Sequence, residues 1–265
     1  MVASEDGDIE LNTLKLKDDG NNLKQKNFKV LGPIDCMRTF HHENDSKIEF
    51  GVGGKENLIK IYDLETQKIT FKTKNVKHDF LDMRQPLAVS DVCFLDSNLI
   101  AYCTLYHQIR LHDRRQGSKP IMQKSYGEHG FTRIIASPLS PLNEVICGAL
   151  NGQIIKFNWK DIKKKVIGAY KGSPGSIRDF SLHPKIGYFC STGADRYVRV
   201  FDLESKRLLH STYVIQKQNA VLFTSEKEVI ERSDDEDEEE EEKEDVWDDL
   251  EDLSEKQQKK KRKIK

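Results

Sequence analysis

Several stretches of this sequence carry residue types that catalysis uses, but their spacing decides against it. Gly51-Val-Gly-Gly-Lys-Glu56 has the glycines and lysine of a phosphate-cradling loop. Such a loop also needs a glycine five residues before the Gly-Lys pair and a hydroxyl directly after it, to cradle phosphate and hold magnesium. Glu49 and Glu56 occupy those places, so the stretch reads as a strand end entering a hairpin turn. Gly172-Ser-Pro-Gly175 lacks the spacing of a nucleophile elbow, and Pro174 follows Ser173 directly. His41-His42-Glu43 does not set two imidazoles at i and i+4 on one helix face, so no zinc site of that type forms. The five cysteines (Cys36, Cys93, Cys103, Cys147, Cys190) are odd in number and widely spaced, without a C-x-x-C pair. They read as reduced apolar filler in a cytosolic or nuclear protein. With no catalytic constellation left, an enzyme is the least supported class, and no cofactor, metal or small-molecule substrate is expected.

Residues suited to contact are more informative. Residues 73–90 form a long irregular stretch offering Lys74, Lys77 and Arg84 as cations, Asp79 and Asp82 as anions, and Phe80 and Leu81 as apolar anchors. Arginine and aromatic residues among polar neighbours are interface-type composition; the alternative is that Phe80 and Leu81 only staple the loop to its own domain. Arg110, Arg178 and Arg196 recur at comparable strand-turn positions, where a planar guanidinium can grip a carboxylate or phosphate with two prongs. For Arg178 an internal brace to Asp179 or Asp195 is the preferred reading. The partner-binding candidates are therefore Lys74, Lys77, Asp79, Phe80, Arg84, Arg110 and Arg196. Lys163-Lys-Lys165 adds a compact basic turn suited to transient RNA-backbone contact, without any base-reading motif.

The elements that must position these residues repeat. Gly54–Asp63, Tyr106–Asp113, Leu150–Asn158 and Gly193–Asp202 each run from a polar turn through residues alternating at period two to an aromatic or His and then Asp or Asn. That alternation predicts strands entered from hairpin turns. A fifth copy starts at Glu5-Asp-Gly-Asp-Ile-Glu-Leu11, and the first aliphatics, Ile9, Ile59, Ile109, Ile154 and Val198, are spaced by 50, 50, 45 and 44. Further strands are expected upstream at 47–52, 99–104, 145–149 and 187–191. One strand further up lie 91–95, 132–136 and 176–182, with outer strands at 69–72, 121–124, 166–170 and 208–213. Four strands per period of roughly 40–45 residues is the signature of a propeller blade; the competing architecture is a two-layer sandwich.

Asp63, Asp113 and Asp202 match the aspartate of the WD dipeptide, with Tyr62, His112 and Phe201 in place of tryptophan. The expected fold is all-β, a WD40-type β-propeller with about four to five blades present as a partial ring, over residues 1–227. Other stretches are more specific: Gly53-Gly-Lys-Glu-Asn57 with Ile61-Tyr-Asp-Leu64, Lys74-Asn-Val76, Leu81-Asp-Met-Arg84 with Pro86, Tyr106-His-Gln-Ile-Arg110, Tyr126-Gly-Glu128 and His183-Pro184. Across residues 28–225 they resemble the WD40-repeat ribosome-assembly factors of the WD repeat-containing protein 74 type. The resemblance implies a nucleolar scaffold on precursors of the large ribosomal subunit that binds pre-ribosomal proteins and the rRNA backbone and is removed by an AAA-type ATPase. It also implies a seven-bladed ring. The expectation is that this sequence is a shortened product or incomplete gene model lacking N-terminal blades, the other reading being a half-ring completed by a partner.

Charge is segregated along the chain. Of 44 acids, 17 lie in residues 231–255; of 43 bases, two lie there and seven in residues 256–265. Residues 1–230 thus hold 27 acids and 34 bases, about +7, ahead of an acidic and then basic tail over 228–265. A run of acids without core-forming residues is expected to be disordered. Val246, Leu250 and Leu253 with Trp247 repeat at helix-in-groove spacing, or are stray apolar residues in a solvated tail. Lys259, Lys260, Lys261, Arg262 and Lys263 read as a nuclear localisation signal. No apolar run approaches the ~20 residues of a spanning helix, and Met1–Gly7 has neither a basic nor an apolar leader segment. The expected location is the nucleus and nucleolus. Two further classes share the fold, a substrate receptor of a ubiquitin ligase and a histone- or chromatin-binding propeller using the acidic block.

Overall fold

The period-two segments form strands in a computed structural model that describes residues 2–15, 22–42, 47–78, 81–160, 166–183 and 187–223. The chain divides at residue 223 into two units, and the second lies outside the described residues. The Lys163–Lys165 turn, Asp79, Phe80, the 246–253 pattern and Lys259–Lys263 are also outside them.

Nineteen strands, all paired antiparallel with their sequence neighbours, build five sheets among the described residues. The first has three strands, β1 (Val2–Ala3), β2 (Asp8–Lys15) and β3 (Asn22–Lys29). Four four-stranded meanders follow. They are β4 (Cys36–His41) to β7 (Ile69–Lys72) with β5 (Ile48–Gly54) and β6 (Asn57–Asp63), and β8 (Val89–Phe94) to β11 (Met122–Ser125) with β9 (Leu99–Thr104) and β10 (Gln108–Asp113). Then come β12 (Phe131–Ala136), β13 (Glu144–Ala149), β14 (Ile154–Asn158) and β15 (Gly168–Tyr170). The last sheet is β16 (Ile177–Leu182), β17 (Tyr188–Gly193), β18 (Tyr197–Asp202) and β19 (Leu208–Tyr213). These are five consecutive propeller blades, as the repeat period predicts. The inner strands β4, β8, β12 and β16 lie side by side around the axis.

Burial on both faces of each middle strand explains why those strands are so apolar. In β9, Ala101 and Cys103 point into the core between blades three and four, whereas Ile100 and Tyr102 point into the core between blades two and three. Four such cores join five blades in sequence order. Burying each Ile or Phe fully contributes roughly 1.5–3 kcal/mol. The first aliphatics Ile9, Ile59, Ile109 and Ile154 are fully buried. Val198 is half-buried, because its side of blade five has no further blade against it among the described residues.

The aromatic that replaces tryptophan stacks on a neighbour from the preceding strand. Tyr62 lies on Phe50, His112 on Tyr102 and Phe201 on Phe189, at centroid distances of 5.4, 5.3 and 5.2 Å. The repeating Asp or Asn has a local task. Asp63, Asp113, Asn158 and Asp202 each accept a hydrogen bond from the backbone N–H two residues on, an Asx-turn that directs the chain into the outer strand. The cysteine thiols are pushed up by burial, Cys93 to about 12 and Cys190 to about 11, so they stay as neutral packing groups.

Candidate binding face

One end of the propeller gathers the turns between the second and third strands of each four-stranded blade, the β1–β2 turn of the first blade and the linkers between blades. At the tip of each turn one residue has positive φ: Gly7, Glu56, His107, Gly152 and Arg196. Glycine is required in blades one and four, where the linker carbonyls of Val30 and Ser173 would meet a Cβ at 2.4 and 2.2 Å. In the other three blades the strained tip presents a side chain, which brings Glu56, His107 and Arg196 to this face. This face also exposes apolar residues: Leu31 and Ile215 on linkers, Leu105, Tyr106 and Leu150 on turns.

The axis is held by charges of alternating sign. Arg38, Asp91, Arg133 and Asp179 occupy the third position of β4, β8, β12 and β16. Arg38 grips Asp91 with two prongs, Nε to Oδ1 at 3.0 Å and Nη2 to Oδ2 at 3.1 Å, and its Nη2 lies 3.8 Å from Asp179. Arg133 pairs with Asp179 at 3.5 Å. Asp91, 1% exposed, also accepts the Ile134 N–H at 3.2 Å. A register shift precedes Asp91, Arg133 and Asp179, a bulge that turns each side chain toward the axis. The bulged Ser90 and Thr132 donate hydroxyl hydrogen bonds to the Phe131 and Ile177 carbonyls of the next blade, at 2.6 and 2.8 Å. Beyond β19 the chain returns to the axis, where the Val221 N–H bonds Asp179 at 3.1 Å as that of Ile134 bonds Asp91.

Above these charges opens a cleft of about 730 Å³ lined by Asp35, Lys55, Ser90, Tyr106, Thr132, Arg178 and Asn219 among others. Arg178 is exposed, and the expected internal brace forms with other arginines. Asp179 is taken by Arg38 and Arg133, and Asp195 by Arg199 at 2.6 Å.

The loop after β7 rims this face. Arg110, fully buried, clamps both ends of it: Nη1 to Asn75 Oδ1 at 2.7 Å and Nη2 to Gln85 Oε1 at 3.4 Å. Asn75 closes the base by donating to the Gln85 carbonyl at 2.8 Å. Arg110 therefore acts on any partner only by positioning the loop. Lys60 and Arg199, at the same place in their own blades, hold the preceding linkers through the Leu31 carbonyl at 2.5 Å and the Ser173 hydroxyl at 3.3 Å. Lys74 and Lys77 are exposed. Arg84 is exposed and pairs with Glu56 on the adjacent turn at 3.3 Å. Arg196 is exposed and reaches the Tyr213 hydroxyl at 3.4 Å. Reading by residue type missed Lys55, Tyr106 and Asn219; superimposing the turn and bulge positions of the repeats would have found the first two.

This geometry is that of WD-repeat propellers, and similarity searches agree. The chain is 34% identical over 176 residues to WD repeat-containing protein 74 of Bos taurus and of Homo sapiens, covering 65% of this chain and 45% of each relative. It is a homologue of these WD-repeat proteins. Ribosome biogenesis protein NSA1 of Eremothecium gossypii is 28% identical over 239 residues, covering 80% of the chain and 54% of that relative. The WD-repeat chain thus spans about half the length of the relatives it matches. No family model matches it.

Proposed function

We propose that this WD-repeat protein works in ribosome biogenesis as a non-enzymatic scaffold of the nucleus and nucleolus, docking on large-subunit precursors through its linker face. The observation that carries this reading is homology across 80% of the chain to a relative named for ribosome biogenesis. The face supports it physically: rigid strands hold loops carrying exposed apolar residues and cations, the mixture found where proteins meet. Pre-ribosomal proteins are the partners proposed, with rRNA backbone as a secondary contact favoured by the basic body. Removal by an AAA-type ATPase belongs to the same proposal.

Tagged protein recovered from nuclear extract and sedimented on a gradient tests it. Comigration with large-subunit precursors is the expected result. Exclusive recovery of cullin complexes or histones would replace the reading with one of the other two classes.

A further inference from the structure

Building on the reading that the linker face docks partners, we propose that the axial cleft binds an acidic, partly apolar peptide segment of a protein partner. Two cationic residues line it. Arg178 and Lys55 are exposed and belong to the cleft lining, and neither side chain makes an ion pair or hydrogen bond among the described residues. The one carboxylate in the lining, Asp35, accepts the Lys55 backbone N–H at 2.6 Å, and its single charge stands against both Lys55 and Arg178. Arg133 is neutralised by Asp179 at 3.5 Å. The cleft is therefore left cationic.

The position of Arg178 sharpens the point. Its equivalents Ser90 and Thr132 spend their hydroxyls on the next blade. Arg178, with no further blade beside it among the described residues, offers its carbonyl as acceptor of the Arg133 Nε–H at 2.6 Å, and its side chain stays exposed at the cleft lining. A carboxylate entering there gains a two-pronged, charge-assisted contact.

The walls decide between peptide and nucleic acid. Val89 and Ile177 are buried behind the cleft surface and Leu105 is 46% exposed at its mouth. A nucleic-acid strand asks for a track of cations with repeated stacking faces. Here two unpaired cationic residues line one concave, aliphatic-walled space with a single aromatic, Tyr106. The volume lies within the roughly 300–1,000 Å³ of ligand pockets, room for a few side chains of an extended segment.

Panning random phage-displayed dodecapeptides against the full chain tests the proposal. The expected selection combines Asp or Glu with Leu, Phe or similar residues. Its binding, read by fluorescence anisotropy, should weaken roughly tenfold in Arg178→Ala and in Lys55→Ala, and on changing the peptide acids to amides. Lys68→Ala, on the turn between β6 and β7 at the opposite end, should leave it unchanged, and circular-dichroism melting should show all three variants folded. Selection of neutral or basic peptides, or acidic peptides indifferent to Arg178→Ala and Lys55→Ala, overturns the proposal. Displacement of the peptide by oligouridylate that binds more tightly and depends on the same two residues would overturn it in favour of RNA. Failure here with precursor comigration intact removes only the peptide; loss of comigration with peptide binding intact removes only the ribosomal reading.

Discussion

Arg110 shows how one buried cation can shape a surface it never reaches. Its guanidinium ties Asn75 to Gln85 and so fixes both ends of the loop that carries Lys74, Lys77 and Arg84. Arg110→Ala leaves those amides without their donor and is expected to cost about 2–4 kcal/mol in urea unfolding. Trypsin should then cut faster at Lys77 and Arg84. Arg110→Lys should rescue only part of the loss, because an ammonium donates from a single nitrogen, whereas the guanidinium reaches Asn75 and Gln85 from two. His112 answers to pH. Burial, with Arg110 nearby, lowers its pKa from 6.5 to about 4. Between those values the unfolded chain binds a proton that the folded chain does not, so stability contributed by neutral His112 is lost as pH falls from 6.5 toward 4. Equilibrium unfolding at pH 7.5 and 4.5 should show a smaller acid loss for His112→Phe than for the parent protein.

At the level of elements, the inner strands are joined by charge as much as by packing. Asp91→Asn keeps the shape but removes the charge that Arg38 grips. With Asp91 1% exposed, the expected loss is about 3 kcal/mol, measured by denaturant titration. Gly152→Ala should destabilise by about 1–3 kcal/mol, since the new Cβ meets the Ser173 carbonyl at 2.2 Å in a positive-φ turn. The blade grammar was legible in the sequence because its causes are local. Alternation of residue type at period two marks β6, β10, β14 and β18, although both faces of the first three are buried, and the Asx-turn needs only Asp63 and the residues just after it. Strand ends were read to within a few residues, with 69–72, 99–104 and 208–213 as found. The axial alternation was not legible, because Arg38 and Asp91 lie 53 residues apart and bulges shift the register between them. The same distance hid the purpose of Arg110: nothing near it in sequence announces Asn75 as its partner.

At the scale of the whole molecule, five blades act as a rigid mount. Arginines and lysines hold the linkers from inside, turns with positive φ push side chains outward, and Leu31, Leu105, Tyr106, Leu150 and Ile215 stand exposed on the end that bears the cleft. Opposing charges elsewhere serve cohesion. Buried Glu49, for example, meets Arg114 of the next blade at 2.7 Å, and although burial opposes its charge, Arg114, His42 and Lys47 hold its carboxyl below the ordinary value. Charge reversal on the rim, Lys77→Glu with Arg84→Glu, is expected to leave unfolding within about 0.5 kcal/mol of the parent while reducing recovery of precursor particles several-fold in affinity purification. The measurement that bears most directly on the account is lysine-specific cross-linking of the protein on purified precursor particles. Cross-links to particle proteins concentrated at Lys55, Lys171 and Lys217, on the linker face, are the predicted result. Concentration at Lys68 and Lys160, on the turns that follow β6 and β14 at the opposite end, would contradict it.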